Sequence, residues 1–156
     1  MRITDKYVFF CKGILGNWAR TSMKYNGYDF FSSEQLFMYL KAKLFLDEDS
    51  AEKILKCKTS KEAKDLGRGV KNFKSDTWDL WKYQIMYKAL SVKAEYCQDF
   101  KDLLIQYKDK TFVECNPHDT IWAIGLSEDN DQILDPKNCK GKNLLGEVLT
   151  ELANKL

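Results

Sequence analysis

The chain has 156 residues, 44% of them hydrophobic and 13% aromatic, which suits one folded domain with a real core and excludes a disordered polymer. Its 25 basic and 23 acidic side chains leave a formal charge of +2, too little for tight sequence-independent binding to duplex DNA. Five scattered cysteines without a C-x-x-C pair, and a single histidine, exclude a disulfide framework and a multi-histidine metal centre.

The start, MRITDKYVFF, lacks the apolar run of a signal peptide, and no stretch approaches the ~20 apolar residues that span a bilayer. The expectation is a cytoplasmic protein with reduced thiols and no membrane partner. Tyr7 to Cys11 reads as a strand, broken by Gly13 and Gly16, with Asn17-Trp18 in the following loop. Asn26-Gly27 between Tyr25 and Tyr28 signals a hairpin of two short strands, because both residues tolerate positive φ.

Phe30 to Asp47 reads as the helix around which the chain is organised. Ser32 with Gln35 fits a capping box, and Leu36, Phe37, Leu40, Leu44 and Phe45 recur as a core-facing stripe. Asp49 with Glu52 predicts a cap for a helix to about Cys57. Thr59 with Glu62 predicts another, closed by Gly67 as a terminator. A long helix follows over Asp76 to Tyr96, with Trp78, Trp81, Ile85, Ala89 and Val92 as its apolar positions, and another over Gln98 to Tyr107. Thr111 to Cys115 and Thr120 to Leu126 read as strands or extended segments joined by Asn116-Pro117-His118-Asp119. A polar loop leads from Ser127 to Lys142, and Asn143 is expected to cap a closing helix over Leu144 to Leu156. The sum is a single α+β domain over residues 1–156, helix-dominated, with a few short strands.

Glu34 and Lys41 stand seven residues apart, two helical turns, and so share a side of the central helix. As surface groups they would be solvated and too far apart for a simple i,i+4 ion pair. Facing a pocket, they would suit an acid/base and an amine nucleophile. Desolvation raises a carboxyl pKa and lowers that of an ammonium group. Four loop-proximal clusters stand ready to join them: Asn17-Trp18; Gly67-Arg68; Pro117-His118-Asp119 with Trp122 and Gly125; and Gly141, Asn143 and Gly146. Singly, each has an ordinary structural role. The glycine spacing matches neither a P-loop nor a dinucleotide fingerprint.

Together these residues resemble the NADAR (NAD- and ADP-ribose-associated), or YbiA-like, family. The resemblance is carried by Asn17-Trp18; by Phe30, Ser33-Glu34-Gln35, Met38, Lys41-Ala42 and Phe45; and by Ala63-Lys64 and Leu66-Gly67-Arg68. Further along it is carried by Trp78, Met86, Ala89 and Lys93, by Glu114, Asp119, Trp122 and Gly125, and by Gly141, Asn143 and Leu145-Gly146. Ala123 stands where many members have glycine, and Cys139 near a position often held by tryptophan.

The resemblance implies the family's compact α+β fold and hydrolysis of N-glycosidic bonds on ribose without metal or cofactor. It implies removal of ADP-ribose from modified nucleobases, guanine in DNA foremost, in reversal of a toxin or defence modification. It implies that the lysine matching Lys41 attacks the anomeric carbon and passes through a Schiff base; from its own chemistry, Glu34 is expected to carry protons. Asn17, Trp18, Arg68, Asp119, Trp122, Gly125 and Asn143 are the expected substrate-binding residues, with Arg68 the foremost phosphate ligand. The implied partners are the ADP-ribosylated base or nucleic acid and the product ADP-ribose, with no obligatory protein partner. For a virus-encoded copy the compartment would be the host cytoplasm. Two other readings stand beside this one: hydrolysis of phosphorylated riboflavin-pathway intermediates, and a non-catalytic module that binds ADP-ribose or NAD.

Overall fold

A computed structural model describes residues 1–156. It contains six α-helices and five short strands, the helix-dominated α+β composition expected from the sequence. The chain forms two compact units: residues 17–98, and residues 1–16 with 99–156.

The 1–16/99–156 unit is built on a three-stranded sheet of β1 (Arg2–Ile3), β2 (Tyr7–Phe10) and β5 (Thr111–Glu114). β1 pairs antiparallel with β2, while β2 pairs parallel with β5, from Tyr7 opposite Thr111 to Phe10 opposite Glu114. Val8, Phe9 and Phe10 are all buried, the unbroken apolar run of a strand covered on both faces. Phe9, Val113, Cys115, Ile124, Leu126 and Ile133 form one apolar cluster, with Tyr7 and Cys139 packed against it. α5 (Gln98–Gln106) precedes β5, and α6 (Leu144–Lys155) lies against it.

Thr120 to Leu126, expected as a strand or extended segment, forms no strand. Its carbonyls serve a different ladder. Thr120, Ile121, Trp122, Ala123 and Ile124 accept from the backbone N–H groups of residues 140–145. Ile121 and Trp122 thereby cap the first turn of α6. Asn143 is the residue before that helix but caps nothing with its side chain. It sits in the left-handed region at φ 56°, and its amide bridges two backbone groups of β5.

The 17–98 unit holds the hairpin of β3 (Met23–Tyr25) and β4 (Tyr28–Phe30), turned at Asn26 (φ 48°) and Gly27 (φ 82°) as the sequence predicts. Four helices follow: α1 (Ser33–Leu44), α2 (Glu48–Lys56), α3 (Ser60–Arg68) and α4 (Ser75–Tyr96). α1 packs against each of the other three.

The N-terminus of α1 is capped as expected, with Ser32 Oγ accepting from the Gln35 N–H at 3.1 Å. Gln35 reaches back one residue further than a standard box, accepting from Phe31 N–H at 2.8 Å and donating to the Ile54 carbonyl at 2.9 Å. The one-sided stripe is not observed. Residues from Ser33 to Tyr39 are all buried, while Leu40 and Leu44 are only partly so, because helices pack around α1 on several sides.

Three further expectations change. Asp47 caps α2, not Asp49; its carboxylate takes the Ser50 N–H and hydroxyl and also the Lys71 N–H. Those three bonds hold its pKa down at about 2. Thr59 caps α3 as predicted, but Gly67 lies inside that helix, which runs to Arg68 with Gly69 at its end. In α4 the first half is not core: Trp81 is 48% exposed, and the buried face is Met86, Ala89, Leu90, Val92, Lys93 and Ala94.

Candidate active site

α1 brings its chemistry inward at both ends. Glu34 occupies its first turn and is only 7% exposed, so the solvated reading of this carboxylate does not hold. Its position is fixed by the preceding loop. The Glu34 N–H donates to the Asn17 carbonyl at 3.0 Å, and the Ser33 hydroxyl lies 3.2 Å from that carbonyl and 3.0 Å from Asn17 Oδ1. Asn17 Nδ2 in turn contacts the Met86 sulfur of α4 at 3.2 Å. The loop is pinned again at Trp18, whose carbonyl lies 3.4 Å from the Ser60 hydroxyl; that hydroxyl is 2.9 Å from Ser32 Oγ.

Two turns along α1, the half-buried Lys41 lies among aromatic faces. Its Nζ is 4.9 Å from the centroid of Phe73 and 5.1 Å from that of Trp78. Trp78 stacks in tilted geometry on Phe37 of α1, and Phe73 on Phe45. Burial lowers the Lys41 pKa, the Glu34 carboxylate raises it, and the Arg68 guanidinium lowers it further, with a net shift downward. The ring faces favour the cation and so temper the effect of burial. Glu34 and Arg68 therefore both act on Lys41 electrostatically, in opposite senses.

Arg68 reaches this neighbourhood because α3 approaches α1 closely. A β-carbon on Gly67 would stand 2.0 Å from Met38 Sδ, and Met38 is one turn before Lys41. Arg68 itself is exposed and lies 3.7 Å from the Asp65 carboxylate. The exposed ring of Trp18 is faced by Lys64 of α3, with Nζ 5.8 Å from the centroid.

Asn17, Trp18, Glu34, Lys41 and Arg68 thus lie in the 17–98 unit and are linked there by hydrogen bonds, packing or charge. The other four sequence-derived candidates lie in the 1–16/99–156 unit. Asp119 Oδ1 accepts from the N–H groups of Ile121 and Trp122, tying the turn. Trp122 is half-buried, and Gly125 holds φ 72°, a conformation that favours glycine. Asn143 has both ends of its amide engaged by β5.

Phe73, whose ring faces Lys41, is not among the sequence-derived candidates. The available signal was two aromatics five residues apart, Phe73 and Trp78, flanking the start of a helix. No group of three or more His, Cys, Asp or Glu side chains is placed to hold a metal ion, and no helix is long and apolar enough to cross a membrane.

The family model described as the NADAR domain matches residues 4–156. The N-glycosidase R617 of Acanthamoeba polyphaga mimivirus is 36% identical over 162 residues, covering 96% of this chain and 95% of that one. The N-glycosidase YbiA of Escherichia coli K12 is 31% identical over 144 residues, covering 92% and 81%. The NMR structure of E. coli YbiA aligns with a TM-score of 0.78 at 28% identity, over 99% of this chain and 86% of that one. The chloroplastic riboflavin biosynthesis protein PYRR of Arabidopsis thaliana is 30% identical over 108 residues, covering 67% of this chain and 16% of that protein.

Proposed function

Because this chain belongs to the NADAR family, we propose that it is an N-glycosidase that removes ADP-ribose from modified nucleobases, guanine in DNA foremost, with Lys41 as nucleophile. The observation that carries the reading is the placement of Lys41: an amine with a lowered pKa, held against two aromatic faces and in electrostatic reach of a buried carboxylate. A solvated surface lysine has none of these features. Binding alone needs neither the nucleophile nor the proton carrier.

The chemistry follows from the groups present. Neutral Lys41 Nζ forms a bond to the anomeric carbon as the N-glycosidic bond breaks, and the electron pair leaves with the base. Glu34 takes the proton from the attacking amine and delivers one to the leaving nitrogen. The nitrogen lone pair then expels the ring oxygen, which takes up a proton, and the ribose opens to an iminium that keeps its N–H. Water adds to that iminium, and Lys41 departs as the free amine, releasing ADP-ribose. Arg68 supports the neutral amine by its charge and binds phosphate oxygens. In an organism exposed to a base-modifying toxin, this reaction restores the base.

The test is incubation with an oligonucleotide carrying ADP-ribosyl guanine, with mass analysis of both products. Wild type should release ADP-ribose and unmodified guanine. Lys41→Ala should lose at least about a thousandfold in turnover, as loss of a covalent nucleophile does. Borohydride during turnover should leave a reduced adduct on Lys41; wild-type turnover by Lys41→Arg would remove the amine mechanism. The Arabidopsis relative favours a second substrate class, phosphorylated ribosylamines of riboflavin synthesis, and these belong in the same assay. Tight binding of ADP-ribose without turnover of any N-glycoside would make the chain a binding module.

A further inference from the structure

Leu46 is the most exposed of the large apolar side chains, at 80%, and its backbone stands in the left-handed region at φ 55°. The other non-glycine residues at positive φ are Asn26, Asn72 and Asn143, of the type that tolerates this region. Leu46 closes α1 in a Schellman motif. Its N–H donates to the Lys43 carbonyl at 3.1 Å, and the Asp47 N–H donates to that of Ala42 at 3.0 Å. Glycine fits this position without strain. A leucine there strains the backbone while its side chain buries little in return.

This apolar knob is tied to the surroundings of Lys41. It lies five residues beyond Lys41, roughly 7 Å along the helix axis. The preceding residue, Phe45, accepts from Asn72 Nδ2 at 3.4 Å through its carbonyl, and its ring centroid is 5.2 Å from that of Phe73. The following residue, Asp47, accepts from the Lys71 N–H at 2.8 Å. The Phe73 ring in turn faces Lys41 Nζ at 4.9 Å. The loop from Lys71 to Lys74 is thus anchored to both neighbours of Leu46 and lies against the nucleophile. Lys71 and Lys74 are exposed, and no acid occurs from Leu66 to Ser75. The acids that open α2 are paired, Glu48 with Lys43 at 2.7 Å and Asp49 with Lys53 at 3.0 Å.

We propose that Leu46, Lys71 and Lys74 form a contact for the nucleic-acid strand flanking the modified base, with Leu46 pressed against a neighbouring base and the two lysines on backbone phosphates. The inference rests on the N-glycosidase reading and gives its substrate a polymer context. Roughly 7 Å is two steps of a stacked strand, at about 3.4 Å each, so the strand reaches Leu46 within two bases of the one at Lys41. An apolar side chain there fills the space that the target base leaves when it turns out of the stack. The formal charge of +2 disfavours a duplex footprint, whereas two local cations suit a short unpaired stretch. A small ribosylated base ends at Lys41 and gains nothing from these three residues.

The experiment compares kcat/KM for a single-stranded oligonucleotide carrying ADP-ribosyl guanine with that for ADP-ribosyl guanosine alone. Anisotropy titration of an unmodified fluorescent oligonucleotide runs beside it. Leu46→Gly should raise the urea midpoint by relieving the backbone, and yet lower the oligonucleotide-to-nucleoside ratio by about tenfold, the scale of one lost base contact. Lys71→Gln with Lys74→Gln should also lower the ratio, and should reduce the slope of log affinity against log salt by about 1.4, or about 0.7 per phosphate. The loop is held by the Lys71 backbone N–H, which this substitution keeps. Ratios equal to wild type in both variants overturn the contact, as does a wild type that turns over the nucleoside as efficiently as the oligonucleotide. A Leu46→Gly chain that loses stability, and activity on both substrates alike, makes Leu46 a packing residue and overturns it too. Oligonucleotide binding that depends on Leu46 and the two lysines, with no N-glycoside cleaved, keeps the contact and removes the glycosidase reading.

Discussion

Gly67 and Met38 are packed so closely that a β-carbon on the glycine would stand 2.0 Å from the methionine sulfur and 2.9 Å from its Cγ. This contact sets how near Arg68 comes to the Lys41 face of α1. Gly67→Ala should destabilise the fold by about 1–3 kcal/mol through overpacking, partly offset by the better helix propensity of alanine. Met38→Ala in the same chain makes room, so the two changes should couple favourably in a double-mutant cycle of denaturant midpoints. An additive pair would mean that the helices are not seated on this contact.

The charge balance around Lys41 gives a second expectation. Arg68 lowers the amine pKa and Glu34 raises it. Arg68→Gln should therefore move the Lys41 titration upward, and Glu34→Gln should move it further down. Resonances of labelled lysine, followed against pH, read this directly without turnover. In the wild type, kcat should climb with pH through a pKa below the ordinary lysine value of 10.5, as the neutral amine becomes populated.

Lys93, on α4, is fully buried, and its pKa is pushed down to about 8 by burial, with Cys97 one turn on acting weakly in the opposite sense. Between about 8 and 10.5 the unfolded chain holds this proton more tightly than the native state does. Stability contributed by this group therefore rises with pH across that window, by a few kcal/mol. Lys93→Met should flatten the rise. Urea midpoints at either end of the window check this; the same slope in both proteins would show that Lys93 is not the group responsible.

Asn143 should matter to stability through β5. Asn143→Ala strands the Glu114 N–H and the Phe112 carbonyl and leaves alanine at φ 56°. A loss of about 2–4 kcal/mol is expected from the two unmade bonds and the strained backbone. Asn143→Gly relieves only the backbone and should lose less. Equal losses would show that the amide bridge contributes little.

The parts of the fold legible from sequence are those set by local chemistry. Asn26-Gly27, Ser32 with Gln35, and Thr59 with Glu62 each satisfy backbone groups within a few residues; the turn and both hydroxyl caps form as read, while Gln35 and Glu62 each reach one residue further back than a standard box. Expectations fail where distant segments decide. Asp47 wins the α2 cap from Asp49 because Lys71, 24 residues on, supplies a third hydrogen bond. Gly67 looks like a terminator, but its lack of a side chain serves the approach of another helix. Thr120 to Leu126 has strand-like composition, yet its carbonyls are taken by residues 140–145. Glu34 and Lys41 could be placed on one side of a helix from spacing alone. Only the packing of α2, α3 and α4 around α1 shows that the carboxylate is buried and the amine faced by aromatic rings.

The parallel pairing of β2 with β5 joins Tyr7 to Thr111, which bears on how the chain is made. On the ribosome, β2 emerges about 100 residues before its partner, and its hydrogen-bonding edge and buried-to-be residues Val8, Phe9 and Phe10 must wait. The intervening residues 17–98 draw their internal contacts from one continuous segment and can mature during that delay. Slow or stalled synthesis after residue 98 would leave a nascent chain with a finished helical middle and a sticky leading end, the point at which a chaperone would have most to do.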